Sequence, residues 1–312
     1  MKFDESYFKG EYVEDFYVRP MVKRAWAAQL EILQEIDAIC KRHNIMYFAE
    51  WGTMLGAVRH HGIIPWDDDI DIGMKRGDYE RFLYFAEKEL PKDLKIVNPY
   101  TEAGYGEVMT RITNGFNIDL NNDFLQKYHG CPYVVGIDIF PRDFLTRDPQ
   151  QRELQCQLLL AANLLAQSWS NPEISEEEKL ESLDTLLELV DMKRDDSISI
   201  AQQLYQLSDK LCALYGDEDA DEITQLCEYV TKKHFHMPKE WYSSTIDMPF
   251  GDSTIPVLVG YDGILKIYYG ENYMTPVKVW GTHDYPFFKS QEEMLKNYFA
   301  ERGMELPALF VE

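Results

Sequence analysis

Apolar residues recur at steps of three and four between Pro20 and His43. The repeating positions are Val22, Trp26, Leu30, Leu33, Ile36 and Cys40. On a helix this spacing gathers the apolar side chains on one face, and a proline is well tolerated in the first turn. The pattern therefore predicts a long amphipathic helix that covers a hydrophobic core.

Shorter patterns predict further strands and helices. Helical spacing indicates helices at residues 53–61, closed by Gly62, and at 77–90, stopped by Pro91. The sequence Asn114-Gly115 is typical of a hairpin turn, so we expect the strands on either side of it to pair. Buried or alternating apolar runs indicate strands at residues 45–50, 68–74, 95–98, 107–113, 116–120 and 134–140.

The composition changes twice along the rest of the chain. Residues 148–233 are rich in leucine, glutamine and glutamate, which predicts three or four helices, whereas residues 234–312 return to glycine, proline and aromatic residues. We therefore predict an α/β (α+β) fold with a mixed sheet flanked by helices. Its parts are a core at residues 18–147, a helical insertion at 148–233, and a C-terminal segment at 234–312 that packs back on the core and completes a cleft.

Charge and cysteine content narrow the class of protein. A formal net charge of −23 over 312 residues excludes an extended nucleic-acid interface and a polybasic contact with anionic lipid. The five cysteines form no Cys-x-x-Cys pair, so we expect reduced thiols in a cytoplasmic protein. The sequence has no signal-peptide pattern and no uncharged apolar run of about 18 residues, so we expect no transmembrane segment. The oligomeric state is not indicated.

Two carboxylates alternate with isoleucines on the strand predicted at residues 68–74. Asp69 and Asp71 are interleaved with Ile70 and Ile72. Because side chains alternate across a strand, both carboxylates face one way while the isoleucines enter a core. Like charges on one face need a cation between them, and oxygen ligands suit Mg²⁺ or Mn²⁺ held together with substrate phosphates. The strand therefore predicts metal-dependent chemistry on a phosphate.

Asp138 is the candidate for a third carboxylate, because it stands alone between apolar neighbours on the strand predicted at residues 134–140. We expect it to complete the metal shell or to accept the proton of the attacking group, although capping a turn is the alternative. A calcium loop beginning at Asp67 is a further alternative for the acidic run. We reject it because Ile72 stands where an EF-hand requires glycine and Asp78 where it requires glutamate.

A glycine-hydroxyl turn opens the helix predicted at residues 53–61. Gly52 and Thr53 offer backbone N–H groups and a hydroxyl to a phosphate, and Arg59 offers a charge-assisted contact further along the helix. An ordinary helix cap is an equally good interpretation of the turn, and a solvated helix end is the alternative for Arg59.

Together these motifs resemble the signature of the LicD family. The family consists of bacterial phosphotransferases with the nucleotidyltransferase fold, related to the fukutin-type proteins of animals. The resemblance leaves residues 148–232 uncovered and is looser in the C-terminal part. It is carried by Trp51-Gly-Thr-Met-Leu-Gly-Ala-Val-Arg59, Ile64-Pro-Trp-Asp-Asp-Asp-Ile-Asp-Ile72, Ile137-Asp-Ile-Phe-Pro-Arg-Asp143, Tyr261–Met274 and Gly281-Thr-His283.

The resemblance implies a reaction and a set of site residues. The reaction is transfer of a phospho-alcohol, above all phosphocholine, from a CDP-activated donor to a hydroxyl of a cell-surface glycan or teichoic-acid precursor, with release of CMP. Asp69, Asp71 and Asp138 then become the metal carboxylates. Among the remaining candidates, a solvated or structural role is the alternative for Lys266 and Arg111, and a structural hydrogen bond is the alternative for His283. The substrate-binding candidates are Gly52, Thr53, Arg59, Arg111, Lys266, Tyr269 and His283.

Two other functions stay open from the sequence. The protein could transfer a nucleoside monophosphate to a small molecule or a protein, as other members of the fold do. It could also bind a metal and a nucleotide without turnover. The first alternative differs in which half of the donor reaches the acceptor, and the second in whether CMP is released at all.

Overall fold

The computed structural model describes residues 2–169, 173–278 and 285–310. The helices are α1 Pro20–His43, α2 Trp51–Arg59, α3 Arg76–Glu89, α4 Asn122–Lys127, α5 Pro149–Ser168, α6 Glu176–Leu189, α7 Ile200–Cys212, α8 Leu226–Tyr229, α9 Tyr261–Tyr269 and α10 Lys289–Glu301. The strands are β1 Glu11–Val13, β2 Phe16–Val18, β3 Tyr47–Ala49, β4 Ile70–Lys75, β5 Lys95–Val97, β6 Thr110–Thr113, β7 Gly136–Thr146, β8 Ala220–Thr224, β9 Met237–Pro238, β10 Thr245–Phe250 and β11 Ser253–Leu258.

One mixed sheet organises the molecule. Its strands follow the order β3-β4-β7-β6-β5, and β8 extends it by pairing with the second half of β7 and with β9. Strands β4 and β7 are parallel, whereas the other neighbouring pairs are antiparallel. Two separate hairpins are formed by β1–β2 and by β10–β11. A mixed sheet with flanking helices confirms the predicted α/β class.

The apolar pattern explains why the central strands are buried. Ile70, Ile72, Ile137 and Ile139 are fully buried in the main hydrophobic core, as their alternation with aspartates on β4 and β7 predicts. Helix α1 covers this core with the apolar face read from the sequence, and its bounds agree with the prediction. The helix ends where Asn44 adopts a left-handed conformation with φ 50°.

The predicted strand at residues 116–120 is wrong, and so is the hairpin through Asn114-Gly115. After β6 the side chain of Asn114 donates from Nδ2 to the carbonyl of Tyr133 and accepts at Oδ1 from the N–H of Val135, at 3.1 and 2.9 Å. These bonds attach the end of β6 to the chain that enters β7. The antiparallel partner of β6 is therefore β7, distant in sequence, as well as β5.

The helical region has an apolar cluster of its own. Helices α5, α6 and α7 pack around Leu159, Leu183, Leu204 and Leu207, all fully buried, in a cluster separate from the main core. The region is not entirely helical as predicted, because β8 lies within it and pairs with β7. The division of the chain into three parts at the predicted boundaries stays a prediction.

The C-terminal part packs on the core through polar and aromatic contacts. Gln291 of α10 donates from Nε2 to the carbonyl of Val134 and accepts at Oε1 from its N–H, at 3.0 and 2.8 Å. The rings of Phe288 and Tyr133 stack with centroids 4.7 Å apart. These contacts place the start of α10 beside the chain that enters β7, next to the end of the sheet where the aspartates lie.

Candidate active site

A cleft of about 1510 Å³ opens where the aspartates of β4 and β7 reach the surface of the sheet. Seven of the residues predicted from the sequence line it, and Thr53 and Lys266 do not. His283 lies outside the described residues. A second cavity, of about 560 Å³ between α1 and the β10–β11 hairpin, contains none of the predicted residues. The predicted residues that line the large cleft are Gly52, Arg59, Asp69, Asp71, Arg111, Asp138 and Tyr269.

Three charged side chains form a row across the middle of the sheet. Asp71 on β4 is in register with Asp138 on β7, and Asp138 is in register with Arg111 on β6. Neighbouring strands are about 4.8 Å apart, so residues in register lie side by side on one face. The row therefore brings together residues that are far apart in the sequence, as predicted for the two aspartates.

Arg111 holds Asp138 with a two-pronged ion pair. Its Nη2 donates to Asp138 Oδ2 at 2.6 Å, and its Nε donates to Asp138 Oδ1. The absence of a side chain at Gly136 makes room for the arginine, because a Cβ there would come within 2.8 Å of Arg111 Cγ. Asp138 thus lies beside a guanidinium, whereas the sequence predicted a metal or an attacking hydroxyl next to it, or a turn that it caps.

A compact group of carboxylates lies at the start of β4. One oxygen each from Asp67, Asp68 and Asp69 falls within 4.8 Å of the others, which no other trio of potential ligands does within the described residues. Gly52 permits this packing, because a Cβ on it would overlap with the carboxylate of Asp67. The N–H of Phe287 donates to Asp68 Oδ2 at 2.5 Å. Asp68, which sequence analysis did not single out, therefore belongs to the group of carboxylates that lines this end of the cleft.

Two carboxyl groups that line the cleft, Asp67 and Asp71, have strongly raised pKa values. Burial is the largest cause raising the pKa of Asp67 well above its ordinary value, followed by repulsion from Asp69. Burial likewise raises the pKa of Asp71, with further contributions from Asp69 and Asp138. Both shifts have the physical origin expected where like charges share a poorly hydrated pocket. A bound cation would oppose these shifts.

The donor atoms at this end of the cleft suit a hard cation. They are carboxylate oxygens. The buried side chain of Gln29 also lines the cleft, and its Oε1 has no hydrogen-bond partner among the described residues. The amide nitrogen of Gln29 is already used, since it donates to the carbonyl of Asp68 at 2.7 Å. An all-oxygen set of this kind matches the ligand preference of Mg²⁺ and Mn²⁺.

Thr53 occupies a different position from the one predicted. It is buried on the sheet side of α2, and its side-chain oxygen accepts a hydrogen bond from the N–H of Asp71 at 2.8 Å. Helix α2 begins at Trp51, two residues earlier than expected, so Thr53 lies within its first turn and packs against β4. Thr53 therefore positions a site carboxylate from behind instead of offering its hydroxyl to a phosphate in the cleft.

Lys266 also lies away from the cleft. Its Nζ pairs with Asp262, one turn earlier on α9, at 2.8 Å. Arg59 and Tyr269, in contrast, lie where the sequence predicted. Arg59 donates from Nη1 to the carbonyl of Tyr273 at 2.8 Å, and burial lowers its pKa. Tyr269 is 43% exposed in the cleft, and its pKa is raised by burial and by Asp67 and Asp71.

A buried network behind the cleft was missed by sequence analysis. Glu50 Oε2 accepts from Arg142 Nε at 2.8 Å, with both side chains at most 1% exposed, and Glu50 Oε1 accepts from the hydroxyl of Tyr268 at 3.2 Å. Trp51 stacks on Tyr268 and adopts φ 43°, a strained value for a bulky side chain. The sequence held one sign of this network, because the charged residue Glu50 directly follows the apolar strand β3.

The match to known proteins agrees with this site. Residues 44–130 match the family model described as LicD/FKTN/FKRP, nucleotidyltransferase domain. The chain is 26% identical over 259 residues to the lipopolysaccharide cholinephosphotransferase LicD of Haemophilus influenzae, covering 79% of this chain and 89% of that protein. Over 44 residues it is 39% identical to the ribitol 5-phosphate transferase FKRP of Homo sapiens, covering 14% of this chain and 9% of that protein.

The fold is thus an α/β fold with a carboxylate-lined cleft, and residues 44–130 are similar to a nucleotidyltransferase domain. The chain is similar to the LicD family of phosphotransferases, through the family model at residues 44–130 and through the Haemophilus influenzae protein over most of its length. The sequence-based recognition of the family is confirmed. A search of the described helices for a stretch long and apolar enough to cross a bilayer found none.

Proposed function

We propose that this phosphotransferase moves a phospho-alcohol from a CDP-activated donor to a hydroxyl of a cell-surface glycan or teichoic-acid precursor. Phosphocholine is the proposed cargo and CMP the proposed leaving group. The similarity to a cholinephosphotransferase supports this choice over most of the chain. The observation that carries the proposal is the register of Asp71 with Asp138, beside the Asp67–Asp69 cluster in one cleft. A cytoplasmic location stays a prediction.

The acidic end of the cleft is the proposed metal site. Asp67, Asp69 and Asp71 would hold Mg²⁺ or Mn²⁺, with the oxygen of Gln29 close by. When bound, such an ion neutralises phosphate charge and stabilises the charge that develops on the leaving group. The sequence analysis also assigned Asp138 to the ligands of this metal. Asp138 could bind the metal only after its ion pair with Arg111 separates.

The chain's own residues supply the other requirements of phosphoryl transfer. Arg59 lines the cleft and retains donor groups beyond its bond to the Tyr273 carbonyl, so it can bind the donor diphosphate. The first turn of α2 approaches Asp67 closely at Gly52, which keeps this side of the cleft narrow. In the reaction the acceptor oxygen forms a bond to the phosphorus that carries the alcohol. The bond from that phosphorus to CMP breaks, and the hydroxyl proton is released next to Asp138.

An open aromatic face is the feature needed for a quaternary ammonium cargo. Trp51 is unsuitable, because Tyr268 stacks on it with centroids 4.2 Å apart and Arg142 lies 5.2 Å from its ring centre. Tyr269 is the better candidate, since it lines the cleft, is about half exposed and lies near the acidic cluster. We therefore assign Tyr269 to the wall that contacts the transferred alcohol.

The decisive experiment follows both halves of the donor. Purified protein is incubated with Mg²⁺, a glycan-precursor extract and CDP-choline labelled either in choline or in cytidine. We expect CMP to be released and the choline label to reach the acceptor, with no product from the Asp71→Ala variant. Transfer of the cytidine label would instead indicate a nucleotidyltransferase. Metal-dependent nucleotide binding without CMP release would indicate a non-catalytic protein.

A further inference from the structure

Arg111 and Asp138 form an ion pair whose two members are unequally exposed. The side chain of Arg111 is 45% exposed, whereas that of Asp138 is 13% exposed. A guanidinium with that much access to water loses little when its ion pair breaks, because solvent and ligand groups can replace the lost hydrogen bonds. Asp138, held between two strands, has much less freedom. The arginine is therefore the member of the pair that can leave.

The carboxylate of Asp138 lies between another carboxylate and a guanidinium. On one side of Asp138 lies the carboxylate of Asp71, in register with it on the parallel strand β4. On the other side lies Arg111, which donates to both oxygens of Asp138. The compact carboxylate trio of the described residues includes Asp69 but not Asp138. The arginine thus neutralises the carboxylate that a cation at the acidic cluster would otherwise attract.

We propose that Arg111 competes with the metal ion for Asp138 and acts as a displaceable counter-ion of the active site. The inference rests on the proposed function. In the metal-free protein Arg111 neutralises Asp138, which lets two neighbouring strands carry carboxylates in register. Once a metal–diphosphate ligand occupies the cleft, Asp138 turns to the metal and the guanidinium of Arg111 turns to the phosphates. A planar guanidinium suits this exchange, because it binds a carboxylate or a phosphate with the same pair of donors.

Metal affinity in the absence of substrate tests the proposal. The full chain is stripped with EDTA and titrated with Mn²⁺, and free Mn²⁺ is measured by electron paramagnetic resonance. We expect Arg111→Gln to bind Mn²⁺ roughly two- to fivefold more tightly than the wild type, the gain expected from removing a partly exposed competing ion pair. Arg111→Lys, which keeps the charge but loses the two-pronged contact, should fall between them. Circular dichroism checks that each variant is folded.

Two further variants separate competition from a general effect of charge. Arg59 is a cation in the same cleft that contacts a carbonyl and, within the described part of the chain, no carboxylate. The Mn²⁺ affinity of Arg59→Gln should therefore change less than that of Arg111→Gln. In an Asp138→Asn background the Arg111→Gln substitution should have no further effect, because the shared partner is gone.

An unchanged or weaker Mn²⁺ affinity in Arg111→Gln would overturn the proposal. So would an equal gain in Arg59→Gln, or a gain that persists with Asp138→Asn. A wild-type protein that binds no Mn²⁺ would overturn both this inference and the metal-dependent reaction. Metal binding with the expected pattern but no turnover of any CDP-alcohol would count against the proposed function alone. Turnover with no effect of Arg111 on metal affinity would count against this inference alone.

Discussion

The backbone N–H of Asp71 donates a hydrogen bond to the side-chain oxygen of Thr53 at 2.8 Å. On the other side of the same residue, the carbonyl of Asp71 accepts from the N–H of Glu50 at 3.0 Å. Both backbone groups of a proposed metal carboxylate are thus held by the chain that leads into and through the first turn of α2. The conformation of that turn and the position of the carboxylate are therefore coupled.

We predict that Thr53→Val weakens both the fold and the reaction. Valine has the shape of threonine but leaves the buried N–H of Asp71 without its acceptor, which costs about 1–3 kcal/mol. Urea unfolding and CMP release measure the two effects. Thr53→Ser keeps the oxygen and is the matched control. Equal stability and activity in the two variants would show that the hydrogen bond does not position Asp71.

Asp71→Asn should stabilise the metal-free protein while abolishing turnover. The pKa of Asp71 is raised in the folded state, so the folded chain binds a proton that the unfolded chain has lost, and stability falls as the pH rises above about 4. Asparagine removes this dependence. At pH 8 in EDTA we expect a higher melting temperature, by about 1–2 °C for each kcal/mol of stability gained in a chain of 312 residues. At pH 3 the difference should vanish, and a gain that is independent of pH would contradict the explanation.

Gly52→Ala should impair metal binding, because a Cβ at this position overlaps with the Asp67 carboxylate. We expect Mn²⁺ affinity to fall about 10–100-fold, as when the support of a ligand is lost. Gly77→Ala is the control, since no atom lies within 4 Å of a Cβ built there on α3. That variant should be stabilised by about 0.5–1 kcal/mol with unchanged Mn²⁺ affinity. Equal Mn²⁺ affinities in the two alanine variants would exclude the steric argument.

Arg59 and Lys266 were both predicted to bind substrate, and the structure separates them. Arg59→Gln should lower kcat/KM for the CDP-alcohol about 10–100-fold, because a charge-assisted hydrogen bond is worth about 1.5–3 kcal/mol. Lys266→Gln should change it less than twofold, since its amine pairs with Asp262 outside the cleft. Steady-state kinetics with varied donor measure both effects. A large loss in the lysine variant would restore the prediction made from the sequence.

Tyr269 should distinguish a quaternary ammonium cargo from a smaller amine. If its ring contacts the transferred alcohol, Tyr269→Leu should reduce the preference for CDP-choline over CDP-ethanolamine about three- to thirtyfold, the range of a cation–π contact. Tyr269→Phe keeps the aromatic face and should retain the preference. Competition between the two donors in one reaction gives the ratio directly. A preference that survives the leucine substitution would remove Tyr269 from the cargo wall.

Structural features that depend on residues close together in the sequence were predicted correctly, whereas features that depend on distant residues were not. Helix α1 was predicted with its bounds because its apolar spacing is a local property. The strand carrying Asp71 was predicted because alternation with isoleucines is also local. The hairpin at Asn114-Gly115 failed because the side chain of Asn114 bonds to the chain before β7, about 20 residues away. A pattern read from a short stretch of sequence around Asn114 cannot reveal a contact with Tyr133 or Val135.

By itself the sequence determined the α/β class, the resemblance to the LicD family and the two strands that carry Asp71 and Asp138. Motifs and the alternation of polar and apolar residues can be seen without coordinates. Only the tertiary structure decided which of the chosen side chains reach the cleft. It turned Thr53 onto the backbone of Asp71, left Lys266 outside, and paired Arg111 with Asp138. The reason is that strand register and helix rotation are set by the packing of the whole core, so the partner of a charged group is a property of the fold and not of its neighbours in the chain.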